Sequence, residues 1–157
     1  MFKKFLKLVF SIFLCQAAGL IGSLSTITGD GSWYQLLEKP SFNPPNYLFG
    51  PVWITLYTLM GISFYLIWEQ GIDYKKVRAA LWIFGAQLSL NALWSILFFG
   101  FQNPFWGLID ILFLLVLILL TITKFWEINR IASLLLWPYF LWVSFATLLN
   151  LSIWMLN

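Results

Sequence analysis

The sequence contains no histidine, a single cysteine and few charges of either sign. Without imidazole there is no histidine-based zinc or haem ligation, and no nucleophile–histidine catalytic pair. Cys15 alone excludes an intramolecular disulfide. Nine Lys+Arg and six Asp+Glu make the chain only 10% charged over 157 residues. A soluble domain carries about 25% charge, and that charge is what covers its surface. A net charge of +3 with no basic stripe also excludes a nucleic-acid binder. What fills the space is apolar: 61% of the residues are hydrophobic and 20% aromatic, including 10 Trp and 16 Phe. Such a chain is neither soluble nor disordered, and it belongs in a membrane.

The charges mark where the chain leaves that membrane. Charge-free runs cover Leu8–Gly29, Pro40–Trp68, Ala79–Ile109, Ile111–Thr123 and Ile131–Asn157. The third is broken near its end by Gly100-Phe101-Gln102-Asn103-Pro104, a turn signal. A spanning helix needs about 20 mainly apolar residues, and lipid tolerates no exposed unpaired backbone. The sequence therefore predicts one all-α domain over residues 1–157, a bundle of five transmembrane helices. Their expected limits are 5–24, 46–69, 79–100, 105–125 and 132–155. The first span also has the basic start of a signal peptide, but its apolar run is longer than the usual roughly 7–15-residue core of one.

Lys3, Lys4, Lys7, Lys75, Lys76, Arg78, Lys124 and Arg130 then fall on one side, and Lys39 alone on the other. Positive residues accumulate in cytoplasmic loops, so the N-terminus is expected in the cytoplasm. The Lys-rich start suggests a prokaryotic cell membrane. The long connection, residues 25–45, faces outward and contains Trp33, Tyr34, Phe42, Pro40, Pro44 and Pro45. Prolines restrict such a loop, and its aromatics fit either a lid on the bundle or anchors at the headgroups.

Helical spacing aligns Phe49, Trp53 and Tyr57 on the second span, and Gln87, Asn91, Trp94 and Phe98 on the third. Trp142, Ala146 and Asn150 align on the fifth, and Asp110 lies early in the fourth. Polar groups in hydrocarbon must face the bundle interior, so Gln87, Asn91, Asp110 and Asn150 point inward. At about 1.5 Å rise per residue these positions converge in the outer half, under the long loop. Two readings remain open, helix packing or an aromatic ligand pocket with a few polar anchors. Trp68, Trp82, Trp106, Trp126, Trp137 and Trp154 sit at predicted helix ends, as interface belts do. Small residues at four-spacing on helix 1 (Cys15, Gly19, Ser23) and helix 3 (Gly85, Ser89) fit bundle packing and a dimer face equally.

Ordered motifs run from about residue 30 to the end: Trp33-Tyr34, Leu37-Glu38-Lys39-Pro40, Asn43-Pro44-Pro45, Phe49, Val52-Trp53 and Leu56-Tyr57. Asn91, Trp94, Phe98-Phe99-Gly100, Gly107-Leu108, Asp110, Pro138-Tyr139, Trp142, Phe145-Ala146-Thr147 and Leu149-Asn150 follow. In this order they resemble the TspO/translocator protein family of tryptophan-rich sensory proteins. The resemblance implies a five-helix bundle, often a homodimer, whose pocket is closed by the first loop. It implies a receptor for porphyrins such as protoporphyrin IX and for other apolar ligands, sterols and synthetic benzodiazepine-type compounds among them. The ligand-binding residues it implies are Trp33, Phe49, Trp53, Tyr57, Asn91, Trp94, Phe98, Trp142 and Ala146. Tyr57 and Asn91 would supply hydrogen bonds, and Lys39 a partner for a propionate. Light-driven porphyrin breakdown, as in some members, would use Trp53 and Trp142 as the catalytic residues. A porphyrin or sterol transporter is a further alternative. No cofactor or metal is required, and the expected partners are membrane lipid, an apolar small molecule and a second copy of the chain, with no nucleic acid.

Two departures narrow these expectations. Residues 148–157 contain no Tyr, Lys or Arg, so the sterol motif of animal members is missing. With no histidine to ligate haem iron, a metal-free porphyrin is the better ligand.

Overall fold

Long charge-free runs leave backbone hydrogen bonding within each segment as the only way to satisfy its polar groups. The computed structural model, which describes residues 2–157, is helical wherever those runs occur. Its elements are α1 (Phe2–Ser23), α2 (Trp33–Leu36), α3 (Asn46–Trp68), α4 (Lys75–Ser95), α5 (Pro104–Trp126), α6 (Arg130–Leu134) and α7 (Trp137–Leu156). A π-helical turn over Ile96–Gly100 continues α4. Among the described residues there is no strand. Five segments are long and apolar enough to cross a membrane: α1, α3, α4 with its π turn, α5, and α6 with α7. The fold is the five-span bundle that the sequence predicts.

Several limits differ from expectation, each for a local reason. Helix α1 begins at Phe2 rather than residue 5, so that Lys4 and Lys7 extend along it to Glu69 just beyond α3. Helix α4 begins at Lys75 rather than 79 and includes the basic residues read as loop. The fifth span is not one rod over 132–155. It breaks at Leu135 and Leu136, because Pro138 carries no N–H and its ring crowds the carbonyl four residues back. Asn129 starts the first piece by accepting the Ala132 N–H at 3.1 Å. Asn103 does the same for α5, accepting the Trp106 N–H at 3.2 Å, with Pro104 at the first helical position. Pro51 is accommodated inside α3. The long loop contains the helical turn α2, which the sequence did not signal.

Neighbours run α3–α1–α4–α5–α7, and α7 meets α3 only sparsely. Backbones approach closely where α1 crosses α3: a Cβ on Gly61 would run into the backbone of Ile12. The core is densest in the half away from the long loop. There Phe84 stacks on Phe125 at 5.8 Å between centroids, with Met60, Ile67 and Ile118 buried nearby. Ser63 donates to the Ala132 carbonyl at 2.7 Å and Ser133 to the Ile122 carbonyl at 2.8 Å, pinning α6 against α3 and α5. At that same end Lys7 and Lys4 reach the Glu69 carboxylate at 2.9 and 3.3 Å. The Lys7 hydrogen bond, more than any other influence, holds that carboxyl below its ordinary range. Trp82, Trp106, Trp126, Trp137 and Trp154 are exposed on the bundle surface near helix ends, as an interfacial belt requires.

Candidate functional site

In the half under the long loop the bundle is hollow. A cavity of about 650 Å³ lies between α1, α3, α4 and α7. This is within the range of ligand pockets, roughly 300–1,000 Å³. Phe49, Trp53 and Tyr57 enter it from α3, Asn91 and Trp94 from α4, and Trp142 and Ala146 from α7. Phe98 reaches it from the π-helical turn, whose wide Ile96–Phe101 hydrogen bond of 2.8 Å lets both Phe98 and Phe99 face the bundle. Trp33 is placed elsewhere. It packs edge-on against Phe98, 5.8 Å between centroids, and lines a separate small cleft with Leu37 and Trp154.

The walls are built from mutually packed rings. Trp53 stacks on Tyr57 at 5.4 Å, and Trp94 on Phe98 at 5.3 Å. Trp142 meets Phe49 edge-on at 5.9 Å and Phe145 at 5.7 Å. Such pairs fix ring orientation beyond what burial alone provides.

The polar groups fall into two sets. The first is a chain of hydrogen bonds across three helices. The Tyr57 hydroxyl donates to Asn91 Oδ1, Asn91 Nδ2 donates to the Tyr139 hydroxyl at 3.1 Å, and that hydroxyl donates to Gln87 Oε1 at 2.9 Å. Tyr57 and Asn91 thus face the cavity but spend their bonds on the protein, which makes the floor rigid rather than a free set of ligand donors. The second set is an amide bridge. Trp94 Nε1 donates to Asn150 Oδ1 at 3.0 Å, while Asn150 Nδ2 donates to the Pro104 carbonyl at 2.8 Å. The indole N–H of Trp142 is different: it is buried and has no acceptor in the protein.

Gln87, Asn91, Asp110 and Asn150 are all buried, as their place in the spans demands. Asp110 lies outside the cavity wall, its Oδ2 has no partner, and it makes no hydrogen bond to another helix among the described residues. Among these residues there is also no cluster of His, Cys, Asp or Glu able to hold a metal.

The loop closes the end of the bundle. Tyr34, on α2, lines the cavity and packs on Phe98 and Phe99, with centroids 6.4 and 5.4 Å away. Its hydroxyl donates to Asn43 Oδ1 at 3.2 Å, and burial raises its pKa, so it stays a neutral donor. Lys39 lies over the Tyr34 ring at 4.6 Å and donates to the Leu37 carbonyl at 3.2 Å, outside the cavity wall. Phe42 meets Phe145 edge-on at 6.2 Å.

Helix α1 supplies a wall that the sequence reading missed: Phe13, Gln16, Ala17, Gly19, Leu20 and Ser23. The available signal was the small-residue stripe. A Cβ on Gly19 would collide with the Tyr57 ring, so the glycine leaves room for a pocket residue as well as for helix packing.

A five-span α-helical membrane protein with a lidded, tryptophan-walled cavity is the class that fold and site define. The TspO/MBR family model matches residues 11–155, and the chain belongs to that family. It is 49% identical to the tryptophan-rich protein TspO of Archaeoglobus fulgidus over 153 residues, 97% of each chain. It is 38% identical to the human translocator protein over 143 residues, 90% of this chain and 85% of that one. Protein CrtK of Rhodobacter capsulatus is 35% identical over 143 residues, 91% and 88% of the two chains.

Proposed function

We propose that this membrane protein is a receptor that holds a metal-free porphyrin, protoporphyrin IX or a close relative, in the lidded cavity and so senses tetrapyrrole levels. The observation that carries this reading is the cavity of about 650 Å³ that the loop covers and that Trp53, Trp94 and Trp142 wall. Flat aromatic walls from Trp53, Trp94 and Trp142 suit a flat conjugated ring. The absence of histidine favours a porphyrin without iron.

The test is quenching of tryptophan fluorescence in the detergent-purified protein by protoporphyrin IX, first in the dark and then under illumination. Saturable quenching that is weakened by joint Trp53→Phe and Trp142→Phe substitution is expected. No saturable quenching would overturn the reading. Stable porphyrin absorbance under light fits a receptor. Light-dependent loss that vanishes in the double variant would make Trp53 and Trp142 the residues of a porphyrin-degrading enzyme instead.

We assign the N-terminus to the cytoplasm of a prokaryotic cell on the strength of the lysine and arginine distribution. A homodimer is the proposed assembly. Gly19 and Gly22 are taken up inside the bundle, against Tyr57 and Ser95, whereas Gly85 has nothing within 4 Å of its would-be Cβ and shares its face with the exposed Ser89. That face of α4 is therefore the one left for a second copy.

A further inference from the structure

At its base the loop is tied to α3, where Asn46 Nδ2 donates to the Thr28 carbonyl at 3.5 Å. Residues 29–44 are fastened to the bundle at one polar point, at the far end of the helix that carries Trp142. Asn157 Oδ1 accepts the Glu38 N–H at 3.0 Å, and Asn157 Nδ2 donates to the Glu38 carbonyl at 3.0 Å. Its second amide hydrogen goes to the Ile153 carbonyl at 2.8 Å, in the last turn of α7. Both donors of the amide are thus used, and the helix end orients the group before the loop meets it. Asn157 follows Asn150 by two helical turns, so the cavity-lining face of α7 continues to the latch.

Among the described residues, the two bonds to Asn157 are the only hydrogen bonds that join residues 29–44 to a spanning helix. Every other polar contact of that stretch is internal, such as Tyr34 to Asn43 and Gln35 to Asp30. The remaining attachments are ring contacts, Trp33 and Tyr34 on Phe98 and Phe42 on Phe145, which orient side chains but pin no backbone group of the loop.

We propose that Asn157 is a positioning residue for the pocket lid: its amide pins Glu38 and thereby sets how fast a ligand enters and leaves the cavity. The proposal rests on the receptor reading for its ligand but not for the latch itself. Asn157 lies outside the cavity wall, and it acts through the loop that places Tyr34 over the cavity.

Two variants break the latch from opposite sides. Asn157→Ala removes the amide. Glu38→Pro removes the Glu38 N–H together with an exposed carboxylate, and leaves α7 untouched. Leu37 already has φ −70° and ψ 140°, the extended conformation that a following proline requires. The first readout is backbone hydrogen exchange in the ligand-free protein, in detergent or nanodiscs. Exchange across residues 36–39 is expected to accelerate on the order of 5-fold or more in both variants, with α3 and α5 unchanged. The second is stopped-flow quenching by protoporphyrin IX. Association and dissociation rates should rise together, so that affinity changes less than either rate, while the melting temperature stays near that of the parent. A merely structural role would lower the melting temperature and leave the rates in their original ratio to exchange at α3. Unchanged exchange at 36–39 overturns the latch. Accelerated exchange with unchanged porphyrin rates overturns its control of entry. A parent protein that binds no porphyrin overturns the receptor reading, while the exchange experiment still decides whether the latch exists.

Discussion

The side chain of Asn150 takes a hydrogen bond from Trp94 at 3.0 Å and gives one to the carbonyl of Pro104 at 2.8 Å. One buried amide thus ties α4, α7 and the start of α5 together beside the cavity. Asn150→Leu leaves the Trp94 N–H without a partner, at about 1–3 kcal/mol for a buried unsatisfied group, and removes the second donor to the Pro104 carbonyl, which keeps its helix bond in α5. A clear fall in melting temperature is expected, with weaker porphyrin quenching because Trp94 loses its fixed orientation. Asn150→Asp keeps the acceptor for Trp94 and loses the donor to Pro104, so it should fall between. An unchanged melting temperature in Asn150→Leu would show that the bridge contributes nothing.

Much of this arrangement was legible in the sequence, and the reason is the solvent. Lipid makes long apolar runs helical, and it makes Gln87, Asn91, Asp110 and Asn150 turn inward, so spacing alone placed them in the interior. What spacing does not encode is which inward groups satisfy one another. Tyr57 and Asn91 line the cavity yet are bound to each other, a pairing that depends on how α3 and α4 lie side by side. Trp33 comes from an irregular loop with no period, and its packing against Phe98 is set by the tertiary fold. The α1 wall was hidden for a related reason. Small residues have the same pattern whether they admit a helix or make room for a ring.

Gly19 tests that last point. A methyl group there would meet the Tyr57 ring, which is hydrogen-bonded to Asn91 and stacked on Trp53 and so has little freedom to withdraw. Gly19→Ala should destabilise the protein by about 1–3 kcal/mol, the usual cost of forcing an extra group into a packed site. Combining it with Tyr57→Leu should cost less than the two changes added together, because both act on one contact. Strict additivity in thermal melts of the four proteins would remove the proposed clash.

Glu69 predicts a pH dependence confined to the end of the bundle away from the lid. Its carboxyl titrates below the ordinary 4.5, first because Lys7 donates to it and then because Lys4 lies close. A carboxyl with a lowered folded-state pKa stabilises the fold above its unfolded pKa, and that contribution disappears as pH falls through the lower, folded value. The melting temperature of the parent should therefore drop on acidification from about pH 5 downward, a step that Glu69→Gln lacks. Salt should shrink the difference, since Lys4 is largely exposed. Parallel pH profiles for parent and variant would exclude Glu69 as the source.

Trp142 and Trp94 make the sharpest comparison, because their indole nitrogens have opposite situations. Trp94 donates to Asn150, whereas the Trp142 N–H is buried with no protein acceptor. Replacing Trp142 by Phe keeps an aromatic ring in the wall and deletes an unsatisfied donor, so stability without ligand should hold or rise. A flat ligand that packs on the indole should bind more weakly to the smaller ring, by a factor of about 3–10. Trp94→Phe deletes a donor that is in use, leaves Asn150 Oδ1 unpaired, and should lower both stability and affinity. Thermal melting and protoporphyrin IX titration of the two variants separate these outcomes. If Trp142→Phe loses stability while keeping full affinity, the indole serves the fold and not the ligand, and one of the three rings on which the receptor reading stands is gone.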